Sequence, residues 1–167
     1  SPSTGSFVED STFDVTVTLN TKNISVNGVD VKVNFDPSKL AVVKPSGGKS
    51  IIGVWVEPPS FDNKKGVVSY VGVISNGVIT GSGVIGTITF KVLKPGKANV
   101  KLSSNSFIYL NDGLGTKASI DFGIGQYDFI TKAPEGVSIY SQTHPSQSDW
   151  YNNNNPVFSW ERDAGVT

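Results

Sequence analysis

Val26-Asn27-Gly28-Val29-Asp30-Val31-Lys32-Val33-Asn34-Phe35-Asp36-Pro37-Ser38-Lys39-Leu40 is the stretch that decides the fold. From Val29 to Phe35 every second residue is apolar, and the residues between are Asp, Lys and Asn. Strict period-two alternation with β-branched residues is the pattern of a half-buried strand, with one face in the core and one in water. Asp36-Pro37 ends it, because proline has no N–H for a strand ladder and favours the first position of a helical turn. Residues 36–40 therefore make one helical turn at most. The same alternation continues on both sides. Phe13, Val15, Val17 and Leu19 share a face over residues 13–19, and Ile88, Phe90 and Val92 share one over 84–92. Shorter runs cover 67–74, 98–102, 107–110 and 118–122. Lys94-Pro95-Gly96 and Asn111-Asp112-Gly113 read as tight turns between them. No stretch sustains a 3.6-residue period. This many short strands at regular spacing give an all-β domain, a sandwich or a barrel.

The chain has 167 residues, enough for one domain and a remnant of another, and 37% hydrophobic residues, enough for a core without disulfides or metals. Charged residues make up 17% and the formal net charge is zero. Nucleic-acid binders carry a basic stripe and membrane-surface binders carry Lys/Arg clusters, so neither partner is expected. The apolar runs are too short to span a bilayer, so no membrane insertion is expected either. The chain has no Cys, which removes disulfides and thiolate metal sites, and no Met, which reads as a fragment or a processed product. Arg162 is the only Arg, and Asn, Ser, Thr and Gly abound, the style of an extracellular or cell-surface β module.

Composition shifts near Thr131-Lys132-Ala133-Pro134. Beyond it come a candidate strand over 137–141, then His144, Trp150-Tyr151, Asn152 to Asn155, and Val157-Phe158-Ser159-Trp160. Two strands with aromatics cannot build a core of their own. The organisation expected is a β-sandwich over 1–131, followed over 132–167 by a linker and the start of a second domain. The alternative for this tail is an added edge strand on the first domain.

The ordered set of strand motifs resembles the cohesin family, the modules that bind dockerin domains in cellulosomes and other bacterial surface assemblies. Ser1 to Phe7 followed by Phe13-Asp14-Val15-Thr16-Val17 resembles the lead-in to the family's second strand. Residues 26–40 resemble its third strand and Asp-Pro turn, 66–70 its sixth strand, 86–92 its seventh, and 107–113 its eighth with the following hairpin. The resemblance implies a jelly-roll sandwich of about nine strands. On that alignment the first strand would precede Ser1, and the last strand, near 118–129, would lack its neighbour unless the tail takes its place. The tail resembles the opening of a fibronectin-III-like or immunoglobulin-like repeat, with Trp160 as its core aromatic.

Cohesins dock dockerins on a face built from the third, fifth, sixth and eighth strands. Carried over, the third strand offers Asp30, Lys32 and Asn34 outward. On the sixth, Val68, Tyr70 and Gly72 point inward and Val67, Ser69, Val71 and Val73 outward. Three outward valines are unusual on a solvated sheet; they suit the apolar centre of an interface with a polar rim, the alternative being a face covered by another layer or by the tail. Trp55 is a further candidate partner contact, as an anchor or a sugar platform, or else a Trp packing a strand edge. The expected partner is a dockerin-bearing protein, with a link to polysaccharide degradation. A carbohydrate-binding module that takes polysaccharide directly and a structural spacer are the alternatives. Calcium belongs to the dockerin on this resemblance, and no metal or cofactor is expected here. Asn111, Asp112 and Asp121 offer oxygen ligands, but not at the spacing of an EF-hand loop.

Catalysis finds little in the sequence. His144 is the only His and lies in the tail; there is no Cys, and the four Glu (Glu9, Glu57, Glu135, Glu161) are scattered. Gly81-Ser82-Gly83-Val84-Ile85-Gly86 matches a dinucleotide-binding pattern by letter. It opens a strand instead of a helix, so it places no helix N-terminus against a phosphate.

Overall fold

The computed structural model describes residues 2–133, 138–146 and 148–160. The chain divides into two compact units, Ser1–Lys132 and Ala133–Thr167.

Ten strands build the first unit: β1 (Thr4–Val8), β2 (Thr12–Leu19), β3 (Val26–Asn34), β4 (Leu40–Ser46), β5 (Val54–Asp62), β6 (Val67–Val78), β7 (Gly83–Val92), β8 (Gly96–Leu102), β9 (Phe107–Leu110) and β10 (Ile124–Ile130). One sheet runs β1-β10-β8-β3-β6-β5, with β9 also paired to β3; the other is β2-β7-β4. Their facing residues form one core that includes Val15, Val17, Val31, Val33, Phe35, Ile88 and Phe90. The alternation read from the sequence is the alternation of burial along β2, β3 and β7. At Asp36 the backbone carbonyl accepts from both Lys39 and Leu40 N–H, at 3.1 and 2.9 Å, so the chain makes the single helical turn expected there.

β8 and β9 are one strand interrupted. Both pair antiparallel with the same edge of β3, Val33 opposite Leu102 and Asp30 opposite Phe107, so the outer strand carries two extra residues between those points. Ser106 bridges the break: its hydroxyl accepts from Lys32 N–H at 3.0 Å and donates to the Lys32 carbonyl at 3.1 Å. Counting β8 and β9 as one gives the nine strands expected.

Two expectations are corrected. The first strand is not missing, because β1 lies inside the chain and pairs in parallel with β10, Thr4 opposite Gln126 through Val8 opposite Ile130. β10 therefore has its neighbour, and no replacement is needed. Phe7 pins β1 to the core by stacking on Phe13 at 4.0 Å and tilting against Tyr127 at 6.1 Å. The last strand is Ile124–Ile130, and residues 118–122 are not a strand. They hold on at their start through one bridge, Tyr109 to Lys117, and through Ala118 N–H to the Ile108 carbonyl at 2.8 Å.

Tyr70 joins the two sheets. It is inaccessible to solvent, and its hydroxyl donates to the Thr87 carbonyl of the opposite sheet at 3.1 Å. Burial pushes its phenol pKa far above the ordinary value. The glycine-rich stretch serves this contact, since a Cβ on Gly86 would run into the Tyr70 ring and the Ser46 carbonyl.

In the second unit β11 (Ile139–Ser141) pairs antiparallel with β12 (Phe158–Trp160). Val137, the expected start of that strand, lies outside the described residues, as do Glu135 and Glu161. His144 ties the connection together, with Nε2 2.7 Å from the Asn153 carbonyl and its ring 4.7 Å from that of Tyr151. Trp160, expected as a core aromatic, is 65% exposed.

Candidate docking face

Strands β9, β3, β6 and β5 lie side by side, and their register sorts the outward side chains into rows. Directly paired residues share a face. Val71 has Asp30 on one side and Glu57 on the other, with Phe107 beyond Asp30. In the next row Ser69 lies between Lys32 and Ser60, and in the row after that Val67 lies between Asn34 and Asp62. At the far end Val73 sits between Gly28 and Val54, with Tyr109 beyond Gly28. The Tyr109 ring lies against the open side of Gly28, where a Cβ would meet it at 3.1 Å. Of the residues expected at the site, Asp30, Lys32, Asn34, Val67, Ser69, Val71 and Val73 are thus brought onto one surface. Val68, Tyr70 and Gly72 face the core, as read from the sequence.

Trp55 is not on that surface. It sits opposite Gly72, an inward position, and packs half-buried against the core, its ring 6.1 Å from that of Tyr70 and over Gly47. Register shifts between Trp55 and Glu57 and between Glu57 and Ser60 explain why its direction is hard to read. Pro58 and Pro59 lie in this irregular strand.

Phe107 and Tyr109 also lie on this face and are not among the residues expected there. The alternation Phe107-Ile108-Tyr109, with Ile108 buried, announces two outward aromatics; only their pairing with β3 puts them beside Asp30 and Gly28. Lys117 holds its ammonium 3.6 Å from the centre of the Phe107 ring.

Asp30 is the unusual group of the face. One oxygen, Oδ1, is buried without a hydrogen-bond partner, and the nearest charge is the Lys32 ammonium at 3.6 Å. Both side chains are partly open to water, at 27% and 39%, so their ion pair contributes little. Flanked by Phe107 and Val71, this carboxylate is partly desolvated: Oδ1 is closed off and faces the Lys32 ammonium, and the rest of the group is the part open to a partner.

Two of the four sheet edges of the first unit, β5 and β4, are poorly suited to strand addition. β5 is broken by its two register shifts, and β4 has its outer edge blocked by Asn63, whose side chain accepts from Val42 N–H at 2.7 Å and donates to its carbonyl at 3.0 Å.

The acidic residues weighed for calcium are engaged elsewhere. The Thr116 hydroxyl and Leu114 N–H hold the Asp112 carboxyl below its usual range, and Asp121 is paired with Lys22. Among the described residues no three His, Cys, Asp or Glu side chains group to hold a metal. No helix among them is long and apolar enough to cross a membrane.

Comparison with known proteins bears on the fold and the family. No curated protein matches the sequence. A structure of the third cohesin of ScaC from Acetivibrio cellulolyticus, in complex with the ScaB dockerin, is 22% identical over 76% of this chain and 94% of that one, with a TM-score of 0.60. The cohesin module of a family 33 glycoside hydrolase from Clostridium perfringens is 8% identical over 76% and 91%, with a TM-score of 0.62. A non-cellulosomal cohesin from the archaeon Archaeoglobus fulgidus is 19% identical over 76% and 86%, with a TM-score of 0.60. At such identities these likenesses speak to the fold. The cohesin domain model, however, matches the sequence itself over residues 3–121, more than half of the chain, and the chain belongs to the cohesin family.

Proposed function

We propose that this cohesin binds a dockerin-bearing protein on the β9–β3–β6–β5 face and acts outside the cell, as a non-catalytic module of an assembly that degrades polysaccharide. The observation that carries this is the row Phe107–Asp30–Val71–Glu57: a valine at the centre, an aromatic at one side, and a partly exposed carboxylate between them. Apolar centre and polar surround are the anatomy of a protein–protein interface. The face is a pre-formed sheet, so little backbone ordering opposes association. Dockerin as partner is supported by family membership and by the Acetivibrio relative, whose structure contains one. The Clostridium perfringens relative, a module of a glycoside hydrolase, supports a glycan-processing context; polysaccharide as the target rests on the family resemblance.

Titration calorimetry against calcium-loaded dockerins encoded in the same genome tests it. Asp30→Ala should weaken binding by on the order of 1 kcal/mol, about fivefold, with an unchanged melting curve. Unaltered affinity would remove Asp30 from the interface.

For residues 133–167 we propose the opening of a second module, supported by the separate contact unit and by the two-stranded β11–β12 sheet. Limited trypsin digestion should cut at Lys132 and leave a fragment ending there with the melting temperature of the whole chain. A large loss of stability on truncation after Lys132 would favour the added-edge alternative.

A further inference from the structure

Away from the docking face, a cleft of about 400 Å³ opens between the two sheets at the end where β2 finishes and β3 begins. Its floor is core: Val26, Val31, Ile85 and Ile108 line it and are each at most 3% exposed. Leu19 and Leu102 form its walls. Its roof is the irregular segment before β10, through Ala118 and Ile120. The exposed lining residues mark the mouth, with Lys22 and Ile24 on one lip and Asp121 on the other. The Lys22–Asp121 ion pair spans that mouth, and both side chains are mostly solvated, so the strap is weakly held.

The chemistry of the lining selects a ligand class. Two buried hydroxyls reach the cleft, Thr21 and Ser106, and both are already used. Thr21 Oγ1 accepts from Thr80 N–H at 3.0 Å and donates to the Thr80 carbonyl at 3.2 Å; Ser106 does the same with Lys32. The two charges at the mouth neutralise each other. A charged or strongly polar ligand would lose its hydration without replacement, whereas an apolar one would bury its surface against Leu, Ile and Val. Close-packed interiors seldom leave such a volume, and clefts of this size and lining are typical small-molecule sites.

We propose that this cleft is a binding site for an uncharged, mainly apolar small molecule, admitted past the Lys22–Asp121 pair. The site is independent of dockerin docking. Naphthalene is the probe. In methyl-labelled whole chain, followed by two-dimensional NMR, it should cause saturable shifts at Leu19, Ile85, Ile108 and Ile120, and none at Val67, Val71 or Val73. Ala118→Phe, which fills the cleft from the roof, should abolish those shifts without lowering the melting temperature. Lys22→Ala should keep them and speed exchange, because the ion pair is cut. No saturable shift in the unaltered protein overturns the proposal. Should Ala118→Phe fail to fold, Ile120→Phe serves as the blocking variant. Shifts that persist unchanged in a folded blocking variant, or that fall on the valines of β6, also overturn it.

Discussion

Val71→Asp is expected to abolish dockerin binding, with a loss of at least roughly 3 kcal/mol, about a hundredfold or more in Kd. The side chain points away from the core at the centre of the proposed face, so a bound partner would desolvate the new carboxylate. The register adds a second cause: Asp30 and Glu57 flank position 71 on neighbouring strands, so three carboxylates would stand in one row. That repulsion also touches the free domain, and Val71→Lys separates the two effects. A lysine there sits between two acids, which suits the free sheet, yet still puts a long cationic side chain where an apolar contact is needed. Calorimetry should find both variants inactive, and thermal melting should find Val71→Lys at least as stable as Val71→Asp. A Val71→Lys protein that binds normally would remove β6 from the interface.

The largest stability effect is expected at Phe90. Its side chain is fully buried, its ring lies 5.8 Å from Phe13 and 5.2 Å edge-on from Phe35, and Phe13 in turn contacts Phe7, Tyr127 and Phe129. This cluster joins β1, β2, β7 and β10 across the two sheets. Phe90→Ala should therefore cost about 3–5 kcal/mol, a fall in Tm on the order of 10–20 °C, because the surrounding rings cannot close the cavity without moving strands. Differential scanning calorimetry decides it; a fall of only a degree or two would mean that the cluster is not the centre of the core.

How much of this could be read in the sequence follows the locality of each signal. β3 is legible because its alternation is unbroken and a proline stops it. β6 is legible less directly, because apolar residues fall on both its faces and no proline ends it; the polar Ser69 among Val67, Val71 and Val73, against Val68, Tyr70 and Gly72, is what marks the outward side. β1 is five residues long, includes Gly5, and finds its parallel partner 122 residues later, so nothing local announces it. β5 defeats alternation with two register shifts, and Trp55 ends up turned toward the core. Phe107 and Tyr109 were not expected on the face for a third reason. Their strand was recognisable, but its place beside Asp30 depends on the break at residues 103–106. The sequence carries a trace of that break, a Ser-Ser-Asn-Ser interruption between two apolar runs. Without the pairing to β3 it reads as a turn between separate strands.

The most direct measurement is amide chemical-shift mapping of the labelled chain as a calcium-loaded dockerin is added. If the β9–β3–β6–β5 face is the docking surface, the largest changes fall on residues 28–34, 67–73 and 107–109, and chelating the calcium reverses them. Saturable binding that instead perturbs β2, β7 and β4 and leaves Val71 and Asp30 unmoved would contradict it.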